Sequence, residues 1–179
     1  MQTVCKNLQL FHKGFEGQDR GNSSVFNIAI VNAPLQALEL LLVQLLSPVS
    51  LIPGGFIVHI HLYDNKLDPR VIKGVIMEAM DLASTKLFKI SEASSLEACF
   101  QQCHLFLLME DYSILEGETT YDWLNRIEVQ AAGIFEAFCS STTNVQDCRI
   151  LICGEGPQCY IAEVSMSYVQ NQHEFPYHS

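Results

Sequence analysis

The chain alternates short apolar runs of β type with longer segments whose apolar residues recur at helical spacing, and it does so five times. The five β-type runs are Val25–Val31, Phe56–Tyr63, Leu87–Ile90, His104–Met109 and Arg149–Cys153. Strands that each lead into a helix pair in parallel, because a helical crossover returns the chain to the same end of the sheet. The pattern therefore predicts an α/β fold, a doubly wound parallel sheet with helices on both faces.

Five helical segments fill the intervals between these runs and follow the last one. The predicted helices are Leu35–Leu46, the segment that Pro69 opens, Leu96–Cys103, Thr120–Cys139 and Pro157–Val169. Asp68 is a suitable N-cap for the helix that begins with Pro69. Ser94 and Glu97 have the spacing of a capping box ahead of the third helix.

Length and composition fit one soluble globular domain. With 179 residues, 49% of them hydrophobic and 17% charged, the chain is long enough for a core of its own. We expect this domain over residues 25–169, between a loose N-terminal arm over 1–24 and a polar tail over 170–179. The longest apolar stretch is too short to span a bilayer.

The charge balance and the cysteines limit the partners and the compartment. A net charge of −10 disfavours nucleic acid and anionic membrane surfaces, because their phosphates would be repelled. The cysteines number seven, which is odd, and several lie in apolar runs. Since no basic-then-apolar leader follows Met1, we expect reduced thiols in the cytoplasm.

The first strand-to-helix turn is the most informative place for a ligand, since a dinucleotide lies across the carboxyl ends of the strands in such a sheet. The turn normally offers glycine backbone and open helix N–H groups to the pyrophosphate. Here it reads Asn32-Ala33-Pro34-Leu35-Gln36, in which the proline lacks an N–H and the leucine crowds the main chain. Each lost donor costs about 1–3 kcal/mol, so we expect NAD to bind weakly. The candidate NAD contacts are Asn32, Ala33, Gln36 and, directly after the second run, Asp64 as the ribose ligand.

A helical motif and several shorter ones occur in a fixed order along the chain. They are Gly74–Ala83, Ala98–Phe100, Glu116–Gly117 and Asp122–Leu124. Together they resemble the N-terminal NAD-binding domain of malate dehydrogenases of the cytosolic type, within the malate/lactate dehydrogenase family. Tyr63–Lys66 and Asp81–Ser84 look closer still to the divergent malate dehydrogenase 1B branch, which implies a link to ciliated or sperm cells. The resemblance implies a Rossmann-like dinucleotide-binding domain.

The same resemblance implies that the substrate chemistry is lost. The family's arginines, which clamp the two carboxylates of malate or oxaloacetate, fall at Ile114, Leu115 and Thr120, with Glu118 nearby. Glu155-Gly156 stands where the family has Asn-Pro. The family's catalytic His–Asp pair belongs to a C-terminal domain that we expect this chain to lack, so we predict no catalytic residue. Of the family's functional residues, only the acid after the second strand carries over.

Two groups of residues look like metal sites and are interpreted otherwise. Cys99, Cys103 and His104 have neither the haem spacing nor the second cysteine pair of a zinc site, so we expect both thiols in the core. His59 and His61 share one face of a strand without an evident third ligand. Gly154–Gly156 follows a strand but has no lysine for phosphate, so we interpret it as a turn. No metal site is predicted.

Three functions are compatible with these observations. The first is a non-catalytic dehydrogenase relative that acts as an interaction or structural module, with a protein partner and, as is usual in the family, a homodimer. The second is an NAD-dependent malate dehydrogenase, an oxidoreductase, represented here by a short isoform or a fragment. The third is a sensor that binds NAD(H) without turnover. We favour the first, because the glycines, the arginines and the second domain are missing together.

Overall fold

The strands form one five-stranded sheet in which every pair of neighbours is parallel. A computed structural model of the chain describes residues 24–47, 56–82, 85–142, 145 and 147–174. The strands are β1 (Ser24–Val31), β2 (Phe56–Tyr63), β3 (Leu87–Glu92), β4 (Leu105–Leu108) and β5 (Arg149–Ile152). Their order across the sheet is β3-β2-β1-β4-β5, which confirms the predicted doubly wound α/β fold.

Five helices connect and follow these strands within the described residues. They are α1 (Leu35–Leu46), α2 (Pro69–Asp81), α3 (Leu96–Phe100), α4 (Thr120–Ser141) and α5 (Gln158–Glu174). α1 has the predicted bounds, and Asp68 caps α2 as expected by accepting from the N–H of Arg70 at 2.8 Å. α5 runs past its predicted end into the predicted tail, while residues 1–23 of the predicted arm lie outside the described part. In that part no helix is both long and apolar enough to cross a bilayer.

The short helix α3 differs from its prediction at both ends. It ends at Phe100 rather than Cys103, because Gln101 has a ψ of 124° and Gln102 a φ of 54°, and a right-handed helix contains neither. Its N-cap is Ser95, whose hydroxyl accepts from the third N–H of the helix, and the predicted cap Ser94 lies one residue too early. The segment after Phe100 is therefore a turn that leads into β4.

Two hydrophobic cores cover the two faces of the sheet, and β1 contributes to both. Ile28 and Ile30 face α1 and α2, whereas Ala29 and Val31 face α3, α4 and α5. None of these four residues is more than 1% exposed. Alternate side chains of a strand point to opposite faces, so a strand buried on both sides must be apolar throughout. Because β1 is packed on both faces, its position in the sheet is fixed, and so is the position of the turn that follows it.

Gly154 lies where the end of β5 meets the segment that follows β4. A Cβ at Gly154 would overlap the backbone carbonyl group of Glu110. We therefore expect Gly154→Ala to lower the free energy of unfolding by at least about 1–3 kcal/mol, as overpacking does. Gly133→Ala is the matched control: nothing lies within 4 Å of an added Cβ there. Because Gly133 is in a helix, alanine should stabilise by about 0.5–1 kcal/mol. Urea denaturation measures both, and equal stabilities would contradict the packing described.

Candidate functional site

The register of the sheet brings the carboxyl ends of three strands to one level. Val31 of β1 pairs with Tyr63 of β2 and with Leu108 of β4, and each of these residues ends its strand. The residues that come next therefore share one edge of the sheet. Since β1 lies between β2 and β4, the chain winds away from β1 in both directions. The carboxyl end of β1 is therefore the switch point, the place at which sheets of this kind bind dinucleotides.

Asn32 forms the first turn and takes a backbone conformation that glycine usually supplies. Its φ is 51°, in the left-handed region that asparagine tolerates better than most residues. Its N–H donates to the carbonyl oxygen of Tyr63 at 2.9 Å, and its side-chain oxygen accepts from the N–H of Asn65 at 3.3 Å. The first turn is thus buried and tied to the end of β2.

A buried carboxylate, that of Glu110, lies at the switch point. Glu110 follows β4, is 4% exposed, and accepts through Oε2 from Nδ2 of Asn32 at 2.5 Å. Its other oxygen, Oε1, pairs with the ammonium group of Lys66. We call Asn32, Glu110 and Lys66 the switch-point bridge. Because each carboxylate oxygen has a donor, the buried charge is compensated from two different loops.

Asp64, the predicted ribose ligand, uses one of its oxygens within its own loop. Its Oδ1 accepts from the N–H of Lys66 at 2.7 Å and from the N–H of Leu67 at 2.8 Å. An aspartate that accepts from the backbone two residues further on fixes a tight turn. This turn places Lys66 next to Glu110. Asp64 itself is half-buried.

The other two candidate contacts lie on the same turn but outside the bridge. Ala33 is buried, and Gln36 is exposed in the first turn of α1. α1 follows Pro34, which supplies no side-chain cap to the first N–H groups of the helix. The structure thus places Asn32 and Asp64 at one edge of the sheet, with Ala33 and Gln36 beside them. Their role in binding NAD stays a prediction.

The loop between β4 and α4 is fastened to its surroundings through Tyr112. Nε1 of Trp123 donates to the carbonyl oxygen of Tyr112 at 2.7 Å, and the N–H of Tyr112 donates to the carbonyl oxygen of Glu155 at 3.1 Å. Burial raises the pKa of Tyr112 well above its usual value. Gly156 has a φ of 109°, and a Cβ there would come within 2.8 Å of Cβ of Tyr112. The Gly154–Gly156 segment is therefore a turn, as predicted, against which this loop packs.

A second carboxylate holds the outer part of the same loop. Glu118 accepts from Nε of Arg126 at 2.7 Å and from Nη2 at 2.9 Å, so the pair is bidentate. Nη2 also donates to the carbonyl oxygen of Ser113 at 2.9 Å. These bonds from Arg126 lower the pKa of Glu118 to about 2. We call Glu118 and Arg126 the loop brace, since it joins the loop to α4.

Comparisons with known proteins agree with this geometry. No family model matches the chain. The protein named "Putative malate dehydrogenase 1B" of Branchiostoma floridae is 28% identical over 105 residues, which are 55% of this chain and 18% of that protein. Malate dehydrogenase from Naegleria fowleri has a TM-score of 0.72 and 17% identity over 84% of this chain and 45% of its own. Trichomonas vaginalis lactate dehydrogenase with NADH and oxamate has a TM-score of 0.61 and 18% identity over 82% of this chain and 43% of its own.

The chain has the dinucleotide-binding-domain fold of the malate and lactate dehydrogenase family. The solved structures are too distant in sequence to show more than this fold. The chain spans less than half the length of these relatives. The resemblance predicted from the sequence motifs is confirmed, while catalysis, substrate and partners belong to the proposals below.

At the three positions where the sequence resemblance would place the dehydrogenase arginines, this chain has uncharged residues. Ile114 and Leu115 are 54% and 58% exposed on the loop, and Thr120 is the first residue of α4. Glu155, which stands in place of the family's asparagine, accepts from the hydroxyl of Ser113 at 3.1 Å. Arg126 contacts the outer part of this loop, and its guanidinium group is engaged by the loop brace.

Sequence reasoning missed both the switch-point bridge and the loop brace. Glu110 carries the signal that singled out Asp64, an acid just after an apolar strand, and could have been found in the same way. Arg126 lies eight residues beyond Glu118, across a loop and the start of a helix. No helical spacing predicts that contact, because only one partner is in the helix.

The histidines and cysteines that were weighed as ligands do not assemble a metal site. Within the described residues no group of three or more potential ligands lies close enough to hold an ion. His59 and His61 have ring centroids 3.9 Å apart, and burial, then His59 and Lys89, lower the pKa of His61 to about 4. Cys99 lies in the core, where its thiol donates to the carbonyl oxygen of His61 at 3.5 Å.

Glu118→Gln removes the charge of the loop brace while keeping the size of the side chain. We expect residues 111–118 to exchange their amide hydrogens faster, with little change in global stability, because an ion pair near the surface adds little. Folding lowers the pKa of Glu118 from 4.5 to about 2, so the brace stabilises the fold above pH 4.5 and is lost as the pH falls toward 2. Wild-type and variant exchange should converge over that interval. Glu116→Gln, on the same loop but outside the brace, is the control, and equal exchange in both variants would contradict the brace.

Proposed function

We propose that this chain is a non-catalytic relative of the malate and lactate dehydrogenases and that it uses their dinucleotide-binding fold as an interaction or structural module. The switch-point bridge carries the proposal. It puts the buried carboxylate of Glu110 against Asn32, in the first strand-to-helix turn, next to which a dinucleotide would place its pyrophosphate. Hydride transfer needs a dinucleotide bound there, so an anion in that place argues against turnover.

Electrostatics makes the bridge an obstacle to a pyrophosphate. Two negative unit charges about 4 Å apart repel each other by about 4 kcal/mol at an effective dielectric constant of about 20, and the ammonium group of Lys66 offsets part of that repulsion for Glu110. The donors of Asn32 are already engaged, since it donates through Nδ2 to Glu110 and through its N–H to Tyr63. The ammonium group of Lys66 is likewise paired with the carboxylate of Glu110. A phosphate would have to break these bonds before it gained its own.

The loop after β4 supports a protein-binding role. Ile114, Leu115 and Tyr121 are 54%, 58% and 79% exposed along this loop and the start of α4. Exposed aliphatic and aromatic side chains in one region are typical of protein-binding surfaces. Because the loop brace holds the loop in place without a ligand, such a surface is formed in advance. We therefore propose a protein partner for this surface.

A non-catalytic NAD(H) sensor is the second candidate function. The first N–H groups of α1 receive no side-chain cap, and the N-terminus of a helix attracts anions. Asp64 is half-buried at the end of β2, where a ribose ligand belongs. An NAD-dependent malate dehydrogenase is a third proposal, which concerns a longer protein, because this chain spans less than half of its relatives.

An NADH titration of the whole chain, followed by energy transfer from Trp123, tests the proposal. We expect no saturation by wild type in the micromolar range. Glu110→Gln removes the charge and keeps the shape, so we expect NADH to bind this variant roughly tenfold tighter, a gain of about 1.4 kcal/mol. Glu116→Gln, an exposed acid of the same loop, should bind NADH as wild type does.

Different results of these measurements would favour the NAD(H) sensor or the malate dehydrogenase. A low-micromolar dissociation constant for wild type, weakened by Asp64→Asn, would establish the sensor. Asparagine is the right change there, because its side-chain oxygen still accepts from the N–H groups of Lys66 and Leu67. Malate-dependent reduction of NAD above background would contradict a non-catalytic role. If Glu110→Gln bound NADH no better than wild type, Glu110 would not be the obstacle.

A further inference from the structure

The amino-terminal end of the sheet, opposite the switch point, holds a pocket that the proposed function does not use. Its volume is about 350 Å³. It lies among the start of β1, the segment before β4, the end of α4 and the segment before β5. Asn27, His104 and Thr142 give it polar walls, and Cys103 places a cysteine on one side.

Cys103 faces a second thiol beside this pocket. Cys148 directly precedes β5, and its thiol donates to the sulfur of Cys103 across 3.7 Å. The N–H of Arg149 donates to the carbonyl oxygen of His104 at 2.9 Å, so backbone pairing holds the two segments side by side. The two sulfur atoms are 3.7 Å apart, and a disulfide bond brings them to about 2.0 Å. A small movement of the two side chains would therefore join the sulfurs.

The two thiols differ in acidity as a nucleophile and its resolving partner require. The hydrogen bond from Cys148 lowers the pKa of Cys103, although burial acts in the opposite direction. The same bond, together with burial, raises the pKa of Cys148. At Cys99 and Cys139, burial raises the thiol pKa. Since the thiolate is the reactive form, reaction is favoured at Cys103.

We propose that Cys103 and Cys148 form a reversible disulfide when a hydroperoxide enters this pocket. Each residue is 6% exposed, so the pocket limits access to small oxidants. Packing alone accounts for Cys99, which is completely buried in the apolar core. It does not account for a thiol that lines this pocket and is in hydrogen-bond contact with a second thiol behind it.

The reaction consumes one hydroperoxide per pair of thiols. The thiolate of Cys103 attacks the outer peroxide oxygen, the O–O bond breaks, and the leaving oxygen takes a proton to become water or an alcohol. Cys103 is then a sulfenic acid. The sulfur of Cys148 attacks the sulfur of Cys103, the S–O bond breaks, and the hydroxide leaves as water with the proton of the Cys148 thiol. Two thiols lose two electrons and the peroxide gains them.

The experiment uses the full native chain treated with hydrogen peroxide, blocked with an alkylating reagent and mapped by mass spectrometry without reduction. We expect a Cys103–Cys148 disulfide within one chain, reversed by dithiothreitol, and a melting temperature several degrees higher, because the cross-link restricts the unfolded chain. A parallel sample with Cys5, Cys153 and Cys159 replaced by serine excludes links between chains. If native Cys103 and Cys148 stay reduced, or pair only after the chain is unfolded in denaturant, the proposal is wrong.

Variants separate the two steps. With Cys148→Ser the reaction should stop at the Cys103 sulfenic acid, which a dione reagent traps. Cys103→Ser should give neither the disulfide nor a trapped adduct at Cys148. Cys139→Ser is the matched control, because Cys139 is also buried, and it should leave the rate of disulfide formation unchanged. A trapped adduct at Cys148 instead of Cys103 would overturn the assignment of the nucleophile. Should a variant fail to fold, the wild-type peptide map still decides whether the disulfide forms.

Discussion

The hydrogen bond between Asn32 and Glu110 governs the carboxyl edge of this sheet. A carboxylate that is 4% exposed is tolerated only with its donors in place, and removal of one partner from a buried charge costs about 3–5 kcal/mol. The left-handed Asn32 supplies one donor and Lys66 the other. Lys66 is placed by the turn that Asp64 caps. Three loops that could surround a ligand therefore depend on one another.

The loop brace follows the same principle at a different place. An arginine that meets a carboxylate through two parallel bonds is the arrangement by which a protein selects a dicarboxylate. Here the carboxylate comes from Glu118 in the chain itself, and Arg126 also holds the carbonyl oxygen of Ser113. The loop thus obtains from within the chain the kind of contact that a substrate would provide.

The sequence predicts those features whose cause is local. Asp68 and Pro69 mark the start of α2, and alternation along Phe56–Tyr63 marks β2, because capping and side-chain periodicity act within a few residues. Asp64 is predicted at the carboxyl edge of the sheet because it directly follows β2, and the structure places it there. The thiol contact of Cys103 with Cys148 joins residues 45 positions apart, and only the strand order brings them together. The early end of α3 depends on the backbone angles of Gln101 and Gln102, which their residue type does not reveal.

The two hydrophobic cores and the site rest on different residues. The two cores consist of apolar side chains such as Ile28 and Val31, whereas Asn32, Glu110 and Lys66 lie at the strand ends outside both cores. Substitutions at the edge leave the buried area of the cores unchanged, and burial is the main term that favours folding. A sheet with this fold can therefore persist while the residues at its carboxyl edge change. The opposite edge has the pocket and the Cys103–Cys148 thiol pair, which share no residue with the switch-point bridge. Substitutions at one edge therefore leave the groups at the other edge in place.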